Sequence, residues 1–373
     1  MVVVGVLGCW VGGGKAAGFG TIGVMKTKLV LAACFALAAG SAAAGDFPLC
    51  MYGVSAKRDL AAIKEAGFNC FLAYTQEPAA LAELAAEAKK LKLKMAAYPD
   101  RVIDSPYSEK AKSWPILAWY LYDEPEVHGL PPAELEKLNL KTKTWSPGQR
   151  TAFVVGDGAA ALTYGAAADA LMVDWYPVPH LKLESVGHHI SLARSAAKIM
   201  DAKNPAKPVW AVLQAFDWKI YPQRHEPKRI GRFPTFAEIR FMTYLAIVRG
   251  AEGLFYFTFT QEGKTLDATP ERWFMFKKMA AEINALRPML EKGKDAEPPA
   301  GLDARLAVRV LSKGGGRRLL LLLNPSAAEI PVDAEILKGW RPLFEGKRRL
   351  EEILPGGKDL RLPPYRTLVL EKD

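Results

Sequence analysis

The sequence predicts an α/β fold: a (β/α)8 TIM barrel followed by a small C-terminal antiparallel β-sandwich. Three observations carry this expectation. Short apolar runs alternate eight times with helix-periodic segments, over a span of about 245 residues that suits one such barrel. Beyond residue 302 the helical period stops, and short β-rich runs separated by turn residues take over. No Gly-rich phosphate turn follows the first strand, which disfavours a doubly wound sheet.

The first strand is read at Leu49–Val54, followed by a helix over Lys57–Glu65 that ends at Gly67. The second is Asn69–Tyr74, with an Ala-rich helix running through Lys89 and Lys90. The third is Lys94–Tyr98, followed by an irregular crossover. The fourth begins at Ile116 and stops at Asp123-Glu124-Pro125, because proline has no N–H for a ladder. A helix starting at Pro131-Pro132 leads to the fifth strand, Arg150–Val155. An Ala-rich segment, the sixth strand Ala170–Tyr176 and a long helix near 182–202 come next. The seventh strand, Pro208–Phe216, precedes a long loop and a helix from Thr235 to Gly250; Leu254–Phe259 and a final helix Pro270–Leu290 close the set.

The expected organisation is 1–44 leader, 45–291 barrel, 292–302 linker and 303–373 β-sandwich. Met25-Lys-Thr-Lys, the apolar run Leu29–Ala39 and Ser41-Ala-Ala-Ala44 have the layout of a secretory signal, with cleavage expected after Ala44. Residues 1–24 then read as sequence upstream of the true start, and acylation at Cys34 ranks second. The destination expected is secreted or periplasmic, with no membrane span in the mature chain. Cys50 and Cys70 remain after processing; a disulfide is open to them, although two small buried hydrophobes are the preferred reading. Formal charge is +10, of which Lys15, Lys26 and Lys28 supply three. The remaining excess reads as solvated surface, and no nucleic-acid partner is expected.

The chemistry is expected at the C-terminal ends of the strands. Asp123 and Glu124 end a buried aromatic strand, where carboxyl groups are costly without partners or a task. Aromatic residues recur at or near the strand ends: Tyr52, Tyr74, Tyr98, Tyr122, Trp175, Tyr176, Phe216 and Phe257. The five histidines make no ligand pattern and no Gly-x-Ser-x-Gly elbow is present, so no metal, no cofactor and no esterase are expected.

Asp123-Glu124-Pro125 on the fourth strand, in a barrel with aromatic strand ends, resembles the Asn-Glu-Pro of retaining glycoside hydrolases of the (β/α)8 superfamily. The resemblance implies a carbohydrate substrate and Glu124 as general acid, its pKa raised by burial beside Tyr122 and by the charge of Asp123. It also implies a second carboxylate on the seventh strand, where this chain has Gln214. Asp174 on the sixth strand is the preferred substitute, ahead of Asp217 and Glu262. Tyr52, Tyr98, Trp175, Tyr176, Gln214 and Trp218 are the candidate substrate-binding residues. Two alternatives stay open. Adjacent Asp123-Glu124 is similar to the pair of N-acetylhexosaminidases, where the substrate's acetamido oxygen is the nucleophile and Asp123 orients it. Gln214 also fits a barrel that binds carbohydrate without cleaving it.

Overall fold

The computed structural model describes residues 47–373 apart from 202–203, 205, 222–229, 347, 355 and 357–358. The leader read at 25–44 and Cys34 therefore lie outside the described residues. The rest forms one compact unit. Eight parallel strands close a barrel in sequence order: β1 Leu49–Val54, β2 Cys70–Ala73, β3 Lys94–Ala97, β4 Ile116–Asp123, β5 Thr151–Val155, β6 Ala170–Trp175, β7 Val209–Gln214 and β8 Leu254–Phe257.

Alternation along the strands builds two cores. Tyr52, Leu72, Ala96, Ala118, Tyr120, Met172, Trp210, Val212 and Phe255 fill the inside of the barrel. Their neighbours, among them Met51, Phe71, Trp119, Phe153, Leu171 and Tyr256, face outward and pack beneath the helices. The helix Phe236–Val248 starts with a capping box between Thr235 and Glu238, and Gly250 (φ 92°) ends it. Only short helices, Asp100–Ile103 and Ser108–Ala111, cover the crossover read as irregular.

Cys50 and Cys70 are register partners on β1 and β2, and they form a disulfide across this pair. Sequence reasoning preferred free thiols here. Parallel pairing of the two strands with both side chains turned inward places the sulfurs together, with a Cα–Cα distance of 4.5 Å.

The C-terminal region packs a five-stranded antiparallel sheet against the two-stranded pair Ile330–Asp333 and Asp359–Leu362. The segment read as linker contributes its first strand: Lys294–Ala296 pairs with Ala307–Ser312. Buried ties join this sheet to the barrel helices. Arg240, held by Glu282 of the neighbouring helix at 2.8 Å, donates from Nη1 to the Thr367 carbonyl at 2.9 Å, and Arg309 Nη1 donates to the Ile247 carbonyl at 2.8 Å.

Candidate active site

The inward parity of β4 changes just before its end. Trp119 and Tyr120 pair with Thr151 and Ala152, but Asp123 pairs with Val154, so β4 carries one residue more than β5. That bulge turns Asp123 to the inside, where strict alternation would have turned Tyr122. Glu124 follows with φ 45°, a left-handed conformation uncommon for a residue with a Cβ. Its carboxyl group lies over Gly156, where a Cβ would stand 2.7 Å from Glu124 Oε1 and would push the carboxyl group aside. The Gly156 N–H donates to Glu126 Oε1 at 2.5 Å, tying the loop after β5 to the loop after β4.

Asp123 is held from below by two tyrosines. The Tyr120 hydroxyl donates to its Oδ1 at 2.5 Å, and the Tyr52 hydroxyl lies 3.0 Å from the same oxygen and 2.8 Å from the Tyr120 hydroxyl. Burial first, with nearby Asp123, pushes the Tyr52 and Tyr120 hydroxyls well above their ordinary range. Both remain protonated donors.

Asp174 is 8% exposed. Its Oδ2 accepts from the Tyr176 hydroxyl at 3.0 Å, and its Oδ1 has no hydrogen-bond partner. Burial, then the charges of Glu124 and Asp123, push its carboxyl well above the usual carboxylate range, against the opposing Tyr176 hydrogen bond. Asp174 thus holds a proton at pH values where an exposed aspartate has lost it.

Asp123, Glu124 and Asp174 meet in one cleft of about 490 Å³ at the C-terminal mouth of the barrel. Tyr52, Tyr74, Tyr176, Phe216, Trp218, Tyr221 and Phe257 wall it, with Val127 and His128 at the rim. Tyr176 stacks on Phe257 at 5.5 Å, giving the wall a flat apolar face. A second cleft of about 500 Å³ adjoins it and shares Asp123 and His128; Tyr98 lies in this one, with Gln76, Asp100 and Tyr122. Among the described residues, no group of three or more His, Cys, Asp or Glu is arranged to hold a metal ion.

Two proposed substrate-binding residues lie elsewhere. Trp175 follows Asp174, so strand alternation sends it outward; its Nε1 donates to Ser185 Oγ at 2.8 Å and its ring stacks on His189 at 3.6 Å. Gln214 is fully buried, and its amide is engaged with the backbone. Its oxygen accepts from the Val178 N–H at 2.8 Å, and its nitrogen donates to the carbonyls of Val178 at 2.8 Å and Phe216 at 3.1 Å. The lesser carboxylates have other settings. Asp217 caps the turn Trp218–Ile220, accepting from the Lys219 N–H at 2.9 Å, and Glu262 is exposed at a hairpin tip.

Sequence reasoning passed over His128, Tyr221 and Gly156. His128 was weighed only as a metal ligand; its position four residues past Glu124, in the same mouth loop, was the available signal. Tyr221 and Gly156 carry no pattern of their own.

No family model matches the chain, and no curated protein matches it by sequence. Solved structures do match its fold. A family 5 glycoside hydrolase from Bacteroides vulgatus superposes with a TM-score of 0.55 at 13% identity, covering 87% of this chain and 89% of that one. Amy13B of Eubacterium rectale gives 0.54 at 11% identity, over 88% and 96% of the two chains. AbfB, a family 51 α-L-arabinofuranosidase from Bifidobacterium longum, gives 0.51 at 11% identity, again over 88% and 96%. The likeness shows the fold, a closed (β/α)8 barrel.

Proposed function

We propose that the protein is a secreted glycoside hydrolase that cleaves an O-glycosidic bond of a poly- or oligosaccharide, with Glu124 as general acid and Asp174 as the second carboxyl group. The observation that carries this reading is the convergence of Asp123, Glu124 and Asp174 on one aromatic-walled cleft at the barrel mouth. Glu124 gives its proton to the departing glycosidic oxygen. Asp174, as the anion, faces the positive charge that develops on the sugar ring, and water completes the hydrolysis. Asp123 is fixed by Tyr52 and Tyr120, and its charge helps to raise the pKa of Asp174. Sugar rings stack on the flat faces of the aromatic wall. An extracytoplasmic destination is part of the proposal, and the Cys50–Cys70 disulfide supports it, because such bonds persist in oxidising compartments.

One observation favours a second assignment within the same reaction. The surroundings of Asp174 favour a proton on it. With the roles exchanged, Asp174 donates and Glu124 is the base or nucleophile. Kinetics on variants separate the two roles.

The test compares the protein with Glu124→Gln and Asp174→Asn on aryl glycosides, N-acetylglucosaminides and polysaccharides. Loss of the acid lowers kcat by about 10²–10⁴-fold on natural substrates. It spares dinitrophenyl glycosides, whose leaving group needs no proton. Loss of a nucleophile removes turnover on both, and added azide restores it. The acid pattern in Glu124→Gln supports the first assignment, and the same pattern in Asp174→Asn supports the second. Glycan binding with no turnover by the unaltered protein overturns both and leaves a carbohydrate-binding barrel.

A further inference from the structure

The cleft at the barrel mouth does not end at Asp123. A second cleft of about 500 Å³ continues from it, and Asp123 and His128 line both. It lies over the exits of β3 and β4, between the short helix Asp100–Ile103 and the helix Pro132–Trp145. The bulge in β4 builds both spaces. It turns Asp123 inward, so Leu121 and Tyr122 are left with the core beneath the helices, and both line the second cleft. Leu130 and Leu138 add apolar surface beside them, and the lining also includes the exposed polar residues Gln76, Asp100 and Glu134.

Apolar surface bordered by a few hydrogen-bonding groups suits a sugar ring, whose faces carry C–H groups and whose edge carries hydroxyls. Each cleft alone falls within the about 300–1,000 Å³ of small-molecule sites. Two adjoining spaces of that size hold more than one sugar unit. The charge of the lining narrows the ligand further. Asp123, Glu124 and Asp174 line the first cleft, and Asp100 and Glu134 join Asp123 in the second. Among the described residues no Lys or Arg lines either cleft; Lys141 pairs with Asp100 at 3.4 Å without being part of the lining. The chain as a whole has a formal charge of +10, so this negative lining is a local feature. A cleft of one sign concentrates its field and repels ligands of the same sign.

We propose that the two clefts form one continuous binding site for a glycan chain without acidic groups. The bond to be cleaved lies at Glu124, and further sugar units lodge against Leu121, Tyr122, Leu130 and Leu138. This deepens the glycoside hydrolase reading and rests on it for the place of cleavage.

Calorimetric titration of Glu124→Gln tests this with disaccharides to hexasaccharides of the cello, xylo, manno, malto and chitin series, and with oligogalacturonides of the same lengths. Slow turnover by this variant lets binding be read apart from cleavage. In at least one neutral series, affinity is expected to rise about tenfold or more from disaccharide to hexasaccharide. Oligogalacturonides are expected to bind more weakly at every length, with the gap shrinking as salt is added. Adding Gln76→Ala and Glu134→Ala, both at exposed positions, lowers hexasaccharide affinity about fivefold and disaccharide affinity less. An unchanged unfolding midpoint shows that this variant is folded. A flat length series overturns the proposal, as does the lack of saturable binding in every neutral series. So do acidic chains that bind as tightly as neutral ones, or a length gain undiminished by the double substitution. Length-dependent binding in a protein that cleaves none of these chains overturns the reaction proposed above and leaves the extended site standing.

Discussion

The ends of β6 and β7 are adjacent in the barrel, and each carries a buried polar residue that faces inward in the alternation. Their treatment differs. Gln214 is fully buried and three backbone groups engage its amide, so it costs little and fastens the loop after β6 to the loop after β7. Asp174 is 8% exposed, has one hydrogen bond, and leaves an oxygen without a partner beside two other carboxyl groups. A satisfied buried polar group holds the fold. A buried carboxyl left partly unsatisfied, at the mouth of a cleft, is what catalysis requires. The polar residue of the seventh strand is a clamp between two loops, and under the proposed assignment the second carboxyl group comes from the sixth strand instead.

The sharpest way to break this contrast is through activity. Asp174→Asn is expected to lower kcat by about 10²–10⁴-fold while the circular dichroism spectrum stays unchanged. Turnover within a factor of a few of the unaltered protein would place Asp174 on the structural side. Restoring a carboxyl on the seventh strand is the reverse experiment. Gln214→Glu replaces two donated hydrogens with lone pairs facing the Val178 and Phe216 carbonyls. It is expected to cost about 3–5 kcal/mol in denaturant unfolding, with no gain in turnover. A more active Gln214→Glu would contradict the clamp.

Stability against pH separates the two residues next. The Asp174 pKa is raised in the folded protein, so the folded state binds the extra proton. Its stability contribution is then present below the unfolded carboxyl pKa, near about 4, and is lost as pH rises toward the folded value. Asp174→Asn removes this loss and the unsatisfied carboxylate. A gain of about 1–3 kcal/mol is expected, larger at pH 8 than at pH 4. Unfolding midpoints measured across that range check the sign; a pH-independent difference would contradict it. The smallest effect is expected outside the barrel. Trp175→Phe loses the bond to Ser185 but keeps an aromatic ring against His189. Its cost should be about 1 kcal/mol, with KM unchanged, whereas Trp218→Ala in the cleft raises KM.

Much of the architecture is legible in the sequence. The eight strands were read at positions that coincide with those found or differ by one or two residues at the ends, because parallel barrel strands buried on both faces are continuous apolar runs. The C-terminal region was less legible. The strand Asp359–Leu362 was missed because it is short, with just two apolar positions, and the short, polar strand Lys294–Ala296 was read as linker. In the site, the sequence singled out Asp123, Glu124, Asp174, Tyr176 and Trp218, all of which line the cleft. It grouped Trp175 and Gln214 with them, because nearness to a strand end does not reveal where a side chain points or what occupies it.

The sequence by itself determined the order of strands and helices, the apolar filling of the barrel and the carboxyl and aromatic groups available at its mouth. Local hydrophobic period and turn chemistry are enough for that. Tertiary structure alone decided which of those groups share a cleft. A one-residue bulge in β4 turns Asp123 inward, a glycine on β5's exit leaves room for Glu124, and the backbone of a neighbouring loop takes up Gln214. Parity, close approach and hydrogen-bond satisfaction are relations between distant segments, and no local pattern encodes them.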